Sequence, residues 1–323
     1  LGSHLADLMI SEGHTVAGND NMIGGYTDNV PQNVEFYQID CCDLENMTKA
    51  MEGCDIVYHT AATAYEGLSV FSPVLVTRNI FEASVTTITA AIRNKVKRIV
   101  YCSSMARYGH HDEMPYKETY ECRPQDPYGI AKKAGEDVLK NLCETHGVEY
   151  VIAVPHNIVG PRQKYDDPFR NVMSIMLNRM LQGKQPIIYG DGEQQRCFSY
   201  IDDCLYCLNA LAFQDNVVGE VINIGPDEEP ITINELAEAC ANETGVNLDP
   251  IHHKDRPKEV KLAVCSSDKA RDLLGYKTAT NMRQAVKKTA EYIRTRGTKK
   301  FQYHLPLEII NEHTPDTWKK KLI

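Results

Sequence analysis

Tyr128 and Lys132 lie four residues apart in the stretch DPYGIAKKAGE. On a helix this spacing places both side chains on one face. An ammonium group near a phenol favours the phenolate and lowers the phenol pKa from about 10, so the tyrosine can accept a proton near neutral pH. The pair therefore indicates proton-transfer chemistry, although the same spacing is common on surface helices that have no chemical role.

Two serines upstream strengthen this interpretation. Ser103 and Ser104 follow the apolar run VKRIVYC, which predicts a buried strand. The carboxyl ends of strands in doubly wound sheets are where ligands bind, and a hydroxyl there can donate to an oxyanion or bind a sugar hydroxyl. The alternative is an ordinary serine-rich strand exit.

The elements that would position these residues alternate between strand and helix patterns. Strands are predicted for HTVAGND, VEFYQIDCCD, DIVYHTAA, VKRIVYCSS and VEYVIAVPHN, with helical segments between them. The helix that carries Tyr128 and Lys132 has an N-cap candidate in Asp126 and a C-terminal glycine, Gly147. Alternation of this kind predicts an α/β fold with a doubly wound parallel sheet.

The pattern loosens after about residue 160, which predicts a smaller α+β lobe beside the sheet. We place the sheet domain at residues 1–157, with a return segment near 198–225. The smaller, substrate-binding lobe then comprises residues 158–197 and 226–323.

Composition excludes several functional classes. The net charge is −9 with no long basic block, which argues against nucleic-acid binding, and no apolar run approaches the ~20 residues of a membrane helix. The chain contains 11 cysteines, which we interpret as reduced thiols. Cys204 and Cys207 have CxxC spacing but fit core packing better than a redox or metal site. These features predict a cytoplasmic protein without a structural metal.

The complete set of motifs resembles the extended short-chain dehydrogenase/reductase superfamily, in its nucleotide-sugar epimerase/dehydratase branch. The resemblance covers nearly the whole chain. It rests on the order of LGSHL, DCCD, VYHTAA, YCSSMARYG, DPYGIAKKAGE, HNIVGPRQ, YGDGEQQRCFSYIDD, INIG, RPKEV and SSDKARDLLGY. It implies a Rossmann sheet, bound NAD and a nucleoside diphosphate sugar as substrate. Many relatives are homodimers that pair two long helices, here about 73–94 and 126–146.

The resemblance also implies roles for individual residues. The catalytic set is Ser104, Tyr128 and Lys132. The predicted cofactor-binding residues are Gly2, Asp20, Asp40, Cys41, Ala61, Ala62, Tyr128 and Lys132. The predicted substrate-binding residues are Ser103, Asn157, Arg196, Arg256 and Ala263. An acidic residue at position 20 favours NAD over NADP, and the two arginines suit a diphosphate. The role of Arg162 is less defined, and Val154 replaces an arginine that many relatives carry.

Acidic residues that are missing from the motifs narrow the range of reactions that the resemblance implies. Dehydratases of this branch carry an Asp-Glu pair after the strand-end serine, and decarboxylases keep a glutamate, whereas Met105 and Ala106 occur here and cannot transfer protons. The remaining set is similar to that of UDP-glucose 4-epimerases. Ala263 leaves room for N-acetylated sugars, unless the local backbone differs and this residue is only packing. The alternatives are an epimerase or reductase of a GDP- or dTDP-linked sugar, and a non-catalytic nucleotide-sensing module.

The opening stretch LGSHLADLMI carries a further expectation. By the resemblance, Gly2 is the third glycine of a dinucleotide-binding turn whose first two glycines and preceding strand are not in this sequence. That strand would be central to the sheet, and the turn would bind the pyrophosphate at the helix N-terminus. We therefore expect the functional assignment to hold for the chain with that turn, and weaker NAD binding and stability without it.

Overall fold

The computed structural model describes residues 1–257 and 261–323. Among these residues the strands are β1 (Val16–Asn19), β2 (Val34–Tyr37), β3 (Ile56–His59), β4 (Arg98–Cys102), β5 (Glu149–Pro155), β6 (Ile158–Val159), β7 (Ile187–Tyr189), β8 (Gln195–Arg196), β9 (Ser199–Tyr200), β10 (Val221–Ile224), β11 (Ile231–Thr232), β12 (Ile251–His253) and β13 (Leu262–Ala263).

The helices are α1 (Gly2–Ser11), α2 (Leu44–Ala50), α3 (Glu66–Ser69), α4 (Pro73–Thr77), α5 (Ala83–Arg93), α6 (Pro127–His146), α7 (Val172–Met180), α8 (Ile201–Phe213), α9 (Ile233–Thr244), α10 (Asp268–Leu274), α11 (Met282–Arg296) and α12 (Asp316–Lys319). A π-helical turn, Arg78–Glu82, joins α4 to α5, so the predicted long helix near 73–94 is present as one helical segment.

A parallel sheet forms the centre of the fold. Its order is β10-β5-β4-β3, and every residue of β4 is buried. Helices α5 and α6 contribute to the apolar core on one face, while α1 and α8 contribute to the core on the other. The predicted parallel sheet with helices on both faces is therefore confirmed. One detail differs, because β1 and β2 pair with each other but not with the four-stranded sheet.

Helix α6 has the ends that the sequence predicts. The Asp126 carboxylate accepts a hydrogen bond from the backbone N–H of Gly129 at 2.9 Å, and Gly147 ends the helix in the left-handed conformation at φ +71°. Both devices satisfy backbone groups that the helix itself leaves unpaired. They fix where the helix starts relative to the end of β4.

The second lobe has its own apolar core. Helices α7, α9 and α11 pack together there, with α11 begun by a reciprocal capping arrangement of Asn281 and Gln284. The return segment contributes α8 to the sheet domain, where Cys204 and Cys207 are fully buried in the core. The interpretation of these cysteines as core residues is consistent with that position.

No helix in the described ranges is both long enough and apolar enough to cross a membrane.

Replacing Gly147 by Ala should lower the free energy of unfolding by about 1 kcal/mol, since a Cβ is strained at this positive φ. No atom of the described residues lies within 4 Å of the position that a Cβ would take, so the loss reports backbone strain without steric clash. Because asparagine tolerates the left-handed conformation, Gly147→Asn should lower the free energy of unfolding by less than the alanine variant does. Urea unfolding measures both variants; an alanine variant as stable as the wild type would contradict this.

Candidate active site

A cavity of about 1350 Å³ lies at the carboxyl ends of the sheet strands and extends to the second lobe. The residues singled out from the sequence all line it: Gly2, Asp20, Asp40, Cys41, Ala61, Ala62, Ser103, Ser104, Tyr128, Lys132, Asn157, Arg196, Arg256 and Ala263. Their individual roles remain predictions.

Tyr128 lies at the start of α6, buried beside the exit of β4. The close approach depends on Gly129, because a Cβ there would be 2.7 Å from the carbonyl oxygen of Ala106. The Ser104 hydroxyl is among the groups that lower the Tyr128 pKa, so it lies close to the phenol. Sequence spacing and tertiary packing thus bring the serine and the tyrosine together.

Opposing effects act on the Tyr128 phenol. Burial, the largest, raises the pKa of Tyr128, and the nearby charges of Glu66 and Asp126 also raise it. The Ser104 hydroxyl and the positive charge of Arg170 lower the pKa of Tyr128. The net result is a phenol with a raised pKa, so any ligand that brings positive charge to the phenol favours proton acceptance.

The Lys132 ammonium donates to the carbonyl oxygen of Cys102 at 2.7 Å, at the end of β4. Its expected lowering of the Tyr128 pKa stays a prediction. Burial lowers the pKa of Lys132 to about 8, against the raising effects of Cys102 and Glu136.

Glu136 was missed in the sequence, although it lies one further turn along the same face of α6. Its carboxylate is fully buried, 3.0 Å from the Arg107 guanidinium, and it accepts a hydrogen bond from the Ser103 hydroxyl. The predicted substrate residue Ser103 thus directs its hydroxyl to Glu136, whereas the Ser104 hydroxyl accepts from the backbone N–H of Ala106 at 3.2 Å. The i, i+4 spacing from Lys132 was the available signal.

Arg170 was also missed, since it belongs to no recognised motif. Its guanidinium lies 5.3 Å from the centre of the Tyr65 ring and lines the cavity. Only the three-dimensional route of the loop before α7 brings this charge near Tyr128.

Small residues form the wall near the start of α1. A Cβ at Gly2 would be 3.2 Å from Thr60 Oγ1, so the helix start lies tightly against the loop after β3. Ala61 and Ala62 continue that loop along the cavity. A ligand backbone can approach closely here because no large side chain intervenes.

Polar groups surround the cavity end formed by β1 and β2. Asp20 directly follows β1, and Asp40 forms an ion pair with Arg78 at 3.1 Å. Burial tends to raise the Asp40 pKa, but a backbone N–H and the Arg78 guanidinium hold it below its usual value. Cys41 Sγ accepts from Asn19 Nδ2 at 3.3 Å.

The second lobe contributes two arginines. Arg196 on β8 is paired in register with Ala263 on the parallel strand β13, so the two residues are neighbours at the carboxyl ends of these strands. The Arg256 guanidinium lies 4.9 Å from the centre of the Tyr189 ring. Lys258, Glu259 and Val260, which complete the RPKEV motif, lie outside the described residues.

Asn157 marks the junction of the two parts, with a positive φ of +45° and its amide donating to the carbonyl oxygen of Cys197 at 2.9 Å. Arg162 instead forms an ion pair with Asp7 of α1. Val154 is fully buried in β5 and cannot contact a ligand in the cavity. Residues 1–257 and 261–323 contain no cluster of three metal-binding side chains.

The chain is similar to known proteins of one family. The model of the NAD-dependent epimerase/dehydratase family matches residues 1–225. The UDP-glucose 4-epimerase of Mycolicibacterium smegmatis is 27% identical over 92% of this chain and 96% of its own length.

Two solved structures are also similar. The UDP-glucose 4-epimerase of Thermotoga maritima with UDP-glucose has a TM-score of 0.85 and 29% identity, over 91% of this chain and 96% of that one. The UDP-glucose 4-epimerase of Thermus thermophilus with NAD has a TM-score of 0.84 and 27% identity, over 91% of this chain and 95% of that one.

The low pKa of Lys132 predicts a pH-dependent stability difference from Lys132→Met. Below about pH 8 the lysine is charged in both the folded and unfolded protein, and the cost of burying that charge is present in full. Between pH 8 and the ordinary lysine pKa of 10.5 the folded protein releases the proton first, so wild-type stability rises.

Wild type should therefore gain on the order of 2 kcal/mol relative to the methionine variant between pH 7 and about pH 9.5. Urea unfolding of the two proteins at both pH values measures the change. A stability difference that is the same at both pH values would contradict a buried, low-pKa lysine.

Proposed function

The chain belongs to the NAD-dependent epimerase/dehydratase family, and from that premise we propose that it is a nucleotide-sugar 4-epimerase. We propose UDP-glucose and UDP-galactose as substrates. The observation that carries the proposal is the placement of Ser104, Tyr128 and Lys132 in the same cavity as Arg196 and Arg256. The candidate proton-transfer group Tyr128 and the candidate diphosphate-binding arginines thus line the same cavity.

The residues present fit a nicotinamide dinucleotide. Gly2, Ala61 and Ala62 line the cavity as small residues that a ligand backbone would approach closely, and Asp20, which also lines it, would accept from ribose hydroxyls. This acidic residue favours NAD over NADP. When bound, NAD supplies reversible hydride removal at the sugar C4, which makes C4 transiently a ketone.

Tyr128 handles the proton in this proposal. As the phenolate it accepts the C4-hydroxyl proton and later returns it to the same oxygen. The Ser104 hydroxyl lies beside Tyr128 and would bind the same reacting oxygen. The charges of Arg170 and of a positively charged cofactor ring favour the phenolate, against the effect of burial.

Arg196 and Arg256 would hold the diphosphate while the sugar turns. A guanidinium binds phosphate oxygens through paired N–H groups, so the anchored diphosphate keeps the ketone from leaving. The sugar would turn to present its other face before the hydride returns, which inverts C4. Met105 and Ala106 provide no acid or base for elimination, so inversion is the favoured outcome.

A homodimer is part of the proposal. The helical segment 73–93 and α6 would form the interface. Val74 is 72% exposed and Ile130 is 53% exposed on these elements, which supports an apolar contact surface.

Replacing Tyr128 by Phe should lower kcat for UDP-glucose by about two to four orders of magnitude, because the proton acceptor is lost. The affinity for UDP-glucose should be nearly unchanged, since the diphosphate contacts remain. Tyr37→Phe, at a tyrosine outside the cavity, is the matched control and should keep full activity. Wild-type turnover in the Tyr128→Phe protein would rule out the assignment.

The small side chain of Ala263 predicts that UDP-N-acetylglucosamine and UDP-N-acetylgalactosamine are also interconverted. Steady-state kinetics with the plain and N-acetylated pairs test this. Ala263→Tyr should reduce kcat/KM for the N-acetylated pair more than for the plain pair, because a ring fills the available room. If the wild type fails to turn over the N-acetylated pair, this part of the proposal is wrong.

A further inference from the structure

A segment beyond α11, residues 298–323, crosses the molecule as a strap. The strap is hydrogen-bonded to the start of α4. There the Glu308 carboxylate accepts from the backbone N–H groups of Val74 and Leu75, both at 2.9 Å. Ser72 Oγ adds a hydrogen bond to the carbonyl oxygen of Pro306 at 2.6 Å. These contacts hold the strap to the sheet domain.

The other end of the strap is fastened to the second lobe. The Thr317 hydroxyl is hydrogen-bonded to the Tyr189 hydroxyl at 2.5 Å. Within the strap, Tyr303 donates to the Thr317 carbonyl oxygen at 3.0 Å and fixes this residue. The strap therefore bridges both sides of the cavity.

Trp318 places the strap in the cavity wall. Its side chain is only 2% exposed, and its ring makes edge contacts with Phe71 and Phe169 at centroid distances of 6.0 and 5.4 Å. The ring also lines the cavity, whereas Leu305, in the same apolar cluster, does not. Trp318 and Ile323 are thus the strap residues that line the cavity, while Leu305 only packs.

Trp318 and Arg256 meet at Gly67. A Cβ at that glycine would be 3.5 Å from Arg256 Nη1 and 3.6 Å from Trp318 Cη2, so both groups fill the space above it. Tyr189, which lies beneath the Arg256 guanidinium, is the residue that Thr317 holds. The strap therefore contacts the surroundings of Arg256 from two directions.

Packing alone does not account for an indole at position 318. Its buried N–H has no hydrogen-bond partner among the described residues, which costs free energy. A phenylalanine would fill apolar space without that cost. The indole is larger than a phenyl ring, and its outer edge extends the cavity wall toward Gly67 and Arg256.

We propose that Trp318 and Thr317 are positioning residues that hold Arg256 in place for the substrate diphosphate. The inference rests on the proposed function, in which Arg256 binds that diphosphate. Because the diphosphate is held equally in the ground state and the transition state, loss of the strap contacts should raise KM and leave kcat nearly unchanged.

The test measures the dissociation constant of UDP by calorimetry. Trp318→Ala should raise this dissociation constant about 10- to 100-fold, because the Arg256 guanidinium loses the ring packed beside it. Trp318→Phe, which lacks the outer indole atom that lies at Gly67, should restore only part of the affinity. Thr317→Val removes only one hydroxyl, keeps the fold and should raise the constant less. Leu305→Ala is the matched control, because it destabilises the same strap without touching the cavity and should leave UDP affinity unchanged.

Trp318 also provides a direct spectroscopic signal, since it is the only tryptophan in the chain. Binding of UDP to the wild type should change its fluorescence emission, and an unchanged spectrum at saturating UDP would contradict contact between the strap and the ligand site.

The outcomes separate the two proposals. If Trp318→Ala and Thr317→Val bind UDP as tightly as the wild type, the positioning role is overturned and the proposed function stands. The same holds if Leu305→Ala weakens binding as much as Trp318→Ala, because the effect is then only structural. If the wild type binds none of UDP, GDP and dTDP, the proposed function itself fails.

Discussion

The close packing of α6 against the end of β4 is the constraint on which the site depends. Two glycines on α6 allow it: a side chain at Gly129 would collide with the Ala106 carbonyl, and one at Gly135 with the Tyr101 hydroxyl. With the helix this near, the face that carries Tyr128 and Lys132 lies directly on the strand exit. Any larger residue at either glycine would move the phenol away from Ser104.

This closeness also determines the electrostatics of the site. Burial raises the pKa of the Tyr128 phenol and lowers that of the Lys132 ammonium, so neither group is ionised as readily as in water. The buried Glu136, held by Arg107, supplies negative charge near the lysine. The protonation states of Tyr128 and Lys132 thus depend on burial and a few nearby charges. Binding of a cationic cofactor ring would favour the phenolate form of Tyr128.

Features set by local sequence were predictable, and features set by the route of distant segments were not. The cap by Asp126 and the left-handed Gly147 follow from neighbouring residues, and both ends of α6 were predicted correctly. The direction of the Lys132 ammonium depends on the Cys102 carbonyl of another element. The position of Trp318 depends on the whole course of the strap, and its polar surroundings in the sequence contain no motif that marks a cavity wall.

The most direct test of a 4-epimerase mechanism is proton NMR of UDP-glucose incubated with the protein and NAD in D₂O. The account predicts that UDP-galactose forms and keeps hydrogen, not deuterium, at every ring carbon, because the hydride removed from C4 returns to C4. Deuterium at C3 or C5 would indicate proton abstraction next to a ketone as the productive chemistry. Deuterium at C4, or no inversion at C4, would contradict the central claim.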